Sequence, residues 1–165
     1  MFRAMTWNVE NLLKVGAEGG PTSLEQVDTK IESLAAVIDA AKPDVLGLQE
    51  VGPDSVLKAL QEALTHSMPH RAISNNPDGR GIRVAALSRF PISKTRQIRK
   101  LAPGLSPVQT ADVRGGNTEA SLMTELERGA LQVDVTADDG TVSVVIGPCP
   151  TAWCKSERVI LSACG

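Results

Sequence analysis

The chain has 165 residues and a mass of 17.4 kDa, which suits one domain with a buried core and leaves no room for two ordinary domains. Hydrophobic residues make up 42% of the chain and charged residues 22%, a balance that argues against wholesale disorder. The chain has two Phe, two Trp and no Tyr, which argues against a surface that stacks single-stranded bases on aromatic rings.

No apolar run is long enough to span a membrane, and the N-terminal segment has no apolar core of a signal peptide. The three cysteines, Cys149, Cys154 and Cys164, all lie in the last 17 residues, with spacings unlike those of zinc sites. We therefore expect reduced cysteines and a cytoplasmic protein without a disulfide framework.

The net charge of −2 hides a basic block between Arg71 and Lys100. This block has eight basic residues and one acid, Asp78, and so carries +7, whereas the remaining residues carry −9. Such a block favours phosphates or other anions through its field. A solvated, arginine-rich strand and loop is the alternative.

The first half of the chain has the pattern of an α/β fold. Residues 2–7 form a predicted strand that ends at Asn8, and Thr22 or Ser23 is the predicted cap of an amphipathic helix that Pro43 stops. The apolar positions of this helix are Leu24, Val27, Ile31, Leu34 and Ile38. Residues 45–48 form a predicted buried strand, which ends at Gln49 and Glu50.

Shorter elements follow this unit. Asp54 is the predicted cap of a second helix, residues 71–74 and 82–87 are predicted strands, and residues 75–79 form a turn. Residues 102–117 are a predicted long loop, and residues 119–127 fit a helix or an extended segment equally well. Residues 131–135 and 141–146 form a predicted hairpin around a turn at 138–140.

Asn8 and Glu50 end two strands that a crossover helix makes parallel, so both should emerge at one edge of the sheet. A carboxylate and an amide at that edge suit a hard divalent cation such as Mg²⁺, and Glu10 and Asn11 offer further oxygen ligands. In the alternative, structural interpretation, Asn8 turns the chain and Glu50 caps the next segment.

Three segments extend the pattern: residues 6–12 (TWNVENL), residues 43–51 (PDVLGLQEV) and residues 81–92 (GIRVAALSRFPI). In order and spacing they resemble the recurring motifs of the endonuclease/exonuclease/phosphatase superfamily, and residues 128–131 (RGAL) match a later strand of that family. The resemblance covers roughly residues 1–145.

This resemblance implies a fold and a chemistry. The fold is a four-layer α/β/β/α sandwich of the DNase I type, and the activity is hydrolysis of phosphodiester or phosphomonoester bonds with Mg²⁺ or Mn²⁺. It implies that Glu50 is a metal ligand, that Asn8 orients the metal or the phosphate, that Glu10 lies near the metal, and that Arg128 contacts a substrate phosphate. The implied partner is a phosphate ester, with nucleic acid as one option.

The resemblance also implies a His, an Asp-x-Asn pair and an Asp-His pair in a second half. This sequence has no Asp-x-Asn, and its two histidines, His66 and His70, precede that region. Their spacing would suit a metal on a helix, but Pro69 breaks the helix between them, so we expect a helix end at the surface.

Residues 146–165 differ in composition from the rest, and we interpret them as a divergent or frame-shifted tail that leaves the sandwich incomplete. An incomplete sandwich would expose apolar residues near Val84, Leu87, Val133 and Val144, and such a patch favours association. Three functions stay open: a metal-dependent phosphoesterase, an anion-binding or nucleic-acid-binding module without hydrolysis, and a truncated fragment without activity.

Overall fold

The computed structural model describes residues 2–100, 108–110, 121–123, 125–137, 140–147 and 159–163. Two helices lie in these segments, α1 (Leu24–Ala41) and α2 (Asp54–Ala63). The strands are β1 (Phe2–Leu12), β2 (Val45–Val51), β3 (His70–Ile73), β4 (Arg83–Ser88), β5 (Ile92–Lys100), β6 (Val108–Thr110), β7 (Ser121–Met123), β8 (Glu125–Ala137), β9 (Gly140–Ile146) and β10 (Val159–Ala163). Neither helix in these segments is long and apolar enough to cross a membrane.

The first sheet has five strands in the order β10-β1-β2-β4-β3. Strands β1 and β2 are parallel, as the strand-helix-strand pattern predicts, and their register places Asn8 opposite Gln49. The other neighbours in this sheet are antiparallel. Helix α1 begins where predicted, because the Ser23 side chain accepts a hydrogen bond from the Gln26 N–H.

The second sheet has three antiparallel strands in the order β5-β8-β9. The predicted hairpin is confirmed, since β8 and β9 pair from Leu131–Ile146 to Ala137–Gly140. Strands β6 and β7 form a separate two-stranded sheet. The prediction of a long loop over 102–117 is therefore wrong at residues 108–110, which pair with residues 121–123, and the rest of it lies outside the described residues.

Two apolar clusters hold these layers together. On one face of the first sheet, Leu46 and Leu48 pack against Ile38 of α1 and Leu57 of α2. On its other face, a second cluster joins the two sheets through Val45, Val84, Ala86, Leu131, Val133, Val135 and Ile146. The described residues thus form helix, sheet and sheet layers, which agrees with part of a DNase I-like sandwich.

The predicted exposure of the inner sheet face is wrong. Val84, Leu87 and Val133 are fully buried, and Val144 packs against the second cluster. Strands β8 and β9 cover the inner face that carries Val84, whereas Leu87 is buried in the first cluster, on the face that the helices cover.

The predicted cap of α2 is also wrong. Pro53 is the cap residue and makes no side-chain hydrogen bond, while Asp54 is the first residue of the helix. Its carboxylate is held by Arg71 instead, through bonds of 2.9 and 3.0 Å.

Candidate active site

Strands β1 and β2 lose their regular pairing at one end of the first sheet. The β1–β2 register shifts between Asn8 and Leu12, and the β2–β4 register shifts between Leu48 and Val51. Glu10, Asn11 and Glu50 have φ angles of 50°, 60° and 62° in these irregular stretches. Each such angle costs a residue other than glycine about 1–3 kcal/mol, and strain of this kind clusters at functional sites.

Two polar side chains are buried at this bulged end. Asn8 is 9% exposed and Glu50 is 7% exposed. Asn8 Oδ1 accepts a hydrogen bond of 2.9 Å from the Glu10 N–H, which fixes the amide against the bulge. Because Asn8 is paired with Gln49, the residue before Glu50, the bulge brings the amide and the carboxylate to one sheet edge.

Arg128 of β8 reaches this edge from the second sheet. Its Nη1 lies 3.9 Å from Glu50 Oε1, and its Nε donates a 2.9 Å hydrogen bond to Asp78 Oδ2. Charge-assisted hydrogen bonds are about 2.7–2.9 Å long. Arg128 therefore forms a hydrogen bond with Asp78, whereas it is too far from Glu50 for a hydrogen bond and forms only a long ion pair with it.

Asp78 is the anchor of the turn before β4. Its Oδ1 accepts hydrogen bonds of 2.9 Å from the N–H groups of Arg80 and Ile82. Burial by itself would raise the pKa of Asp78, but these two amides and Arg128 outweigh it and hold the pKa below its usual value. The carboxylate is thus ionised and can hold Arg128 in place.

Lys30 of α1 approaches the same end from the helix layer and donates a hydrogen bond to the Glu10 carbonyl. Burial lowers the pKa of Lys30, although the nearby Glu10 and Glu50 carboxylates act to raise it. An open pocket of about 180 Å³ lies beside this lysine. Its lining residues are Trp7, Asn8, Val9, Glu10, Lys30 and Leu34.

The predicted site residues do not all behave alike. Asn8, Glu50 and Arg128 converge at the bulged edge, whereas Glu10 has an exposed side chain and takes part through its backbone. The two histidines do not share a helix, because His66 follows α2 and His70 begins β3. The His66 ring donates to the Pro43 carbonyl at 2.9 Å.

Sequence reasoning missed Asp78 and Lys30 as members of this site. Asp78 lies within the predicted turn at 75–79. It is also the single acid of the basic block, which could have indicated that it pairs with an arginine. Lys30 had no such signal, because it is one of several charged residues on an amphipathic helix.

The basic block does not form one anion-facing surface. Arg71 is bound to Asp54, and Arg89 is bound to Asp44 at the opposite end of the sheet. Arg80 lies near the site through Asp78, and Arg96, Arg99 and Lys100 line a groove on β5 together with Asn76. Arg99 of this groove is paired with Glu125 at 3.5 Å. A β-carbon built on Gly129, the residue after Arg128, would lie 3.4 Å from Arg99 Cγ, so the groove adjoins the site.

The residues present fit a divalent cation in type. Glu50 is a buried carboxylate, and among the described residues no hydrogen bond ties up its oxygens. A buried charge of this kind needs a cation or strong donors. No group of three His, Cys, Asp or Glu side chains occurs within the described segments, so water would complete the shell, as is usual for Mg²⁺.

The profile of the endonuclease/exonuclease/phosphatase family matches residues 5–150, so the chain belongs to this family of phosphoesterase hydrolases, which typically use a divalent metal. No curated protein matches the chain.

Solved structures share the fold. A protein of this family from Leptotrichia buccalis superposes with a TM-score of 0.53 at 15% identity, over 94% of this chain and 56% of that one. Caenorhabditis elegans TDP2 gives 0.52 at 18% identity, over 87% and 34%. D. rerio TDP2 complexed with a single-strand DNA product gives 0.53 at 14% identity, over 91% and 48%. The chain thus spans about half the length of these structures or less.

Proposed function

We propose that the chain is a phosphodiesterase that uses Mg²⁺ or Mn²⁺ and acts on nucleic acid. The observation that supports this most is the convergence of Asn8, Glu50 and Arg128 at a strained sheet edge. Glu50 and Asn8 would hold the metal through oxygen atoms, and Arg128 would contact phosphate oxygens. The bound metal would stabilise negative charge on the phosphate and activate water.

Two observations support a nucleic-acid substrate. Arg96, Arg99, Lys100 and Asn76 line the groove on β5. A β-carbon built on Gly129, the residue after Arg128, would lie 3.4 Å from Asn76 Nδ2, so the groove adjoins the segment that carries Arg128. In D. rerio TDP2 the similar fold holds a single-strand DNA product. A row of cations beside the site matches a ligand with several phosphates.

Metal binding tests the site directly. Calorimetric titration with Mn²⁺ should show saturable binding that Glu50→Gln weakens at least about tenfold, since the substitution removes the buried carboxylate that is proposed to hold the metal. The matched control is Glu62→Gln, an exposed carboxylate on α2. Hydrolysis of a generic diester, if observed, should fall with Glu50→Gln and persist with Glu62→Gln. Equal Mn²⁺ affinity of the two variants would refute the assignment.

A second candidate is a phosphate-binding module without hydrolysis. It is favoured because the described residues hold no group of three His, Cys, Asp or Glu side chains that could bind a metal ion. Salt-dependent oligonucleotide binding with no cleavage in the presence of Mn²⁺ would support this candidate over the first.

A further inference from the structure

Strand β1 bulges opposite Glu50, between two regular pairs of the first sheet. These pairs are Asn8–Gln49 and Leu12–Val51. Residues 9–11 of β1 therefore lie against Glu50 alone. Because both stretches span the same two pairs, the course of the bulge constrains the backbone at Glu50.

The backbone of Glu10, within this bulge, is held on both sides. Its N–H donates a 2.9 Å hydrogen bond to Asn8 Oδ1, and its carbonyl accepts a hydrogen bond from Lys30 Nζ. Glu10 and Asn11 have φ angles of 50° and 60°, so two consecutive residues other than glycine have a left-handed backbone. Such a conformation persists only where the surrounding structure imposes it. The hydrogen bond from Lys30 is one of these restraints, and it comes from outside the sheet.

Helix α1 gives Lys30 a fixed starting point. The next residue, Ile31, is buried in the first apolar cluster, and Leu34, one turn further on, is buried there as well. Lys30 is half-buried, and its ammonium reaches from the helix layer to the Glu10 carbonyl. The donor that holds the bulge thus belongs to a rigid element.

Lys30 is also electrostatically close to Glu50. Burial lowers the pKa of Lys30, and the Glu10 and Glu50 carboxylates act against this lowering. By its charge alone, Lys30 would oppose the binding of a divalent cation at Glu50. By its hydrogen bond, it would favour such binding, because it holds the bulge beside Glu50. The charge and the hydrogen bond of Lys30 therefore predict opposite effects on metal affinity.

We propose that Lys30 is a positioning residue, whose hydrogen bond to the Glu10 carbonyl holds the β1 bulge in the form that presents Asn8 and Glu50 to a divalent cation. This inference rests on the proposed function, which assigns the metal to Glu50 and Asn8. The role does not require Lys30 to touch the metal or the substrate. Replacing residues that orient metal ligands typically changes metal affinity about 10–100-fold.

Calorimetric titration of the full chain with Mn²⁺ tests this role. Lys30→Met keeps an apolar side chain of similar length and removes the donor, so it should weaken Mn²⁺ binding about tenfold. Lys30→Arg keeps a charged donor and should bind Mn²⁺ within about threefold of the original chain. The matched control is Lys58→Met, which removes an exposed lysine from α2 and should leave the affinity unchanged.

Hydrogen exchange followed by NMR in EDTA measures the same restraint without metal. The Glu10 N–H should exchange about tenfold faster in Lys30→Met, because the bulge has lost one of the hydrogen bonds that hold it. The Leu46 N–H, in the regular part of β2, should exchange at an unchanged rate. Thermal melts would show that each variant is folded.

Three results would overturn the proposal: Mn²⁺ affinity that is unchanged or higher in Lys30→Met, equal weakening by Lys58→Met, or unchanged exchange of the Glu10 N–H. A higher affinity is the result expected from removing a nearby cation alone. Failure of the proposed function would look different. The original chain would then bind no Mn²⁺, while Lys30→Met would still speed exchange of the Glu10 N–H, so that Lys30 positions a bulge that does not bind metal.

Discussion

The buried carboxylates at the two ends of the β1–β2 pair differ in how well the chain satisfies them with hydrogen bonds and ion pairs. At one end, Asp44 Oδ2 accepts a 2.8 Å hydrogen bond from the Arg3 N–H, and Oδ1 is 2.9 Å from Arg89 Nη2. The strands there keep a regular register. At the other end the register shifts, Glu50 has a left-handed backbone, and its nearest cation among the described residues, Arg128, is 3.9 Å away.

This difference separates two roles of a carboxylate in one sheet. We call the Asp44 end the complete end, because a hydrogen bond and an ion pair within the chain satisfy the Asp44 carboxylate. The Glu50 end is strained, and among the described residues its carboxylate lacks a hydrogen bond, so it depends on something bound. Strain of this kind persists only where the surrounding structure imposes it, here through the two buried clusters.

The largest expected effect is at the complete end. Asp44→Ala leaves the Arg3 N–H and the Arg89 guanidinium without their acceptor, so we expect the free energy of unfolding to fall by about 3 kcal/mol. Urea denaturation followed by circular dichroism measures this change. A loss below about 0.5 kcal/mol would mean that the Asp44 end is no more stabilised than an ordinary surface.

The middle of the same strand should be sensitive to added volume. A β-carbon on Gly47 would lie 2.8 Å from Ile146 Cγ1, so the two sheets approach too closely for a side chain. We expect Gly47→Ala to destabilise the fold by about 2 kcal/mol through overpacking. Adding Ile146→Ala to Gly47→Ala frees space at the contact. In the same denaturation experiment, the double variant should therefore lose less free energy of unfolding than the sum of the losses of Gly47→Ala and Ile146→Ala.

The strained end should lose little or no stability when its carboxylate is replaced, unlike the complete end. Glu50→Gln removes a buried charge whose ion pair with Arg128 is long, at 3.9 Å, while Arg128 keeps its hydrogen bond to Asp78. We therefore expect the free energy of unfolding in EDTA to change by less than about 0.5 kcal/mol or to rise. If Glu50→Gln were as destabilising as Asp44→Ala, the contrast between the two ends would disappear.

The smallest expected effect is a pH dependence from Asp78. Its folded-state pKa is lowered, so its contribution to stability is fully present above the unfolded pKa of about 3.9 and is lost as the pH falls through the folded value. Between pH 5 and pH 2, Asp78→Asn should lose stability less steeply than the original chain. If the free energy of unfolding falls with pH at the same slope in both proteins, the pKa of Asp78 does not differ between the folded and unfolded states.

Much of the fold could be predicted from the sequence because the patterns that determine it are local. The α1 cap and stripe, the buried run of β2 and the β8–β9 hairpin all follow from patterns within a few residues. Strand β5 was missed because it has mostly exposed polar residues and is held by pairing with β8, a strand that begins 25 residues after β5 ends. Strand β6 was missed for a similar reason.

The site was predictable in its chemistry and not in its geometry. Asn8 and Glu50 end predicted strands, and the parallel arrangement that places them together follows from the connection. Asp78 belongs to the site only because Arg128, 50 residues further along the chain, reaches back to it. No local pattern could show that contact, or the left-handed backbone at Glu50.

The register shift in β2 also divides the strand into two stretches whose amide hydrogens should exchange with solvent at different rates. Leu46 and Gly47 lie in continuous ladders with β1 and β4, while the stretch after Leu48 has lost its regular partners on the β4 side. Amide hydrogens of the first stretch should exchange with solvent only when the whole domain unfolds, whereas those near Glu50 can exchange through local opening. One seven-residue strand would thus contain both the slowest and some of the faster amides of the sheet.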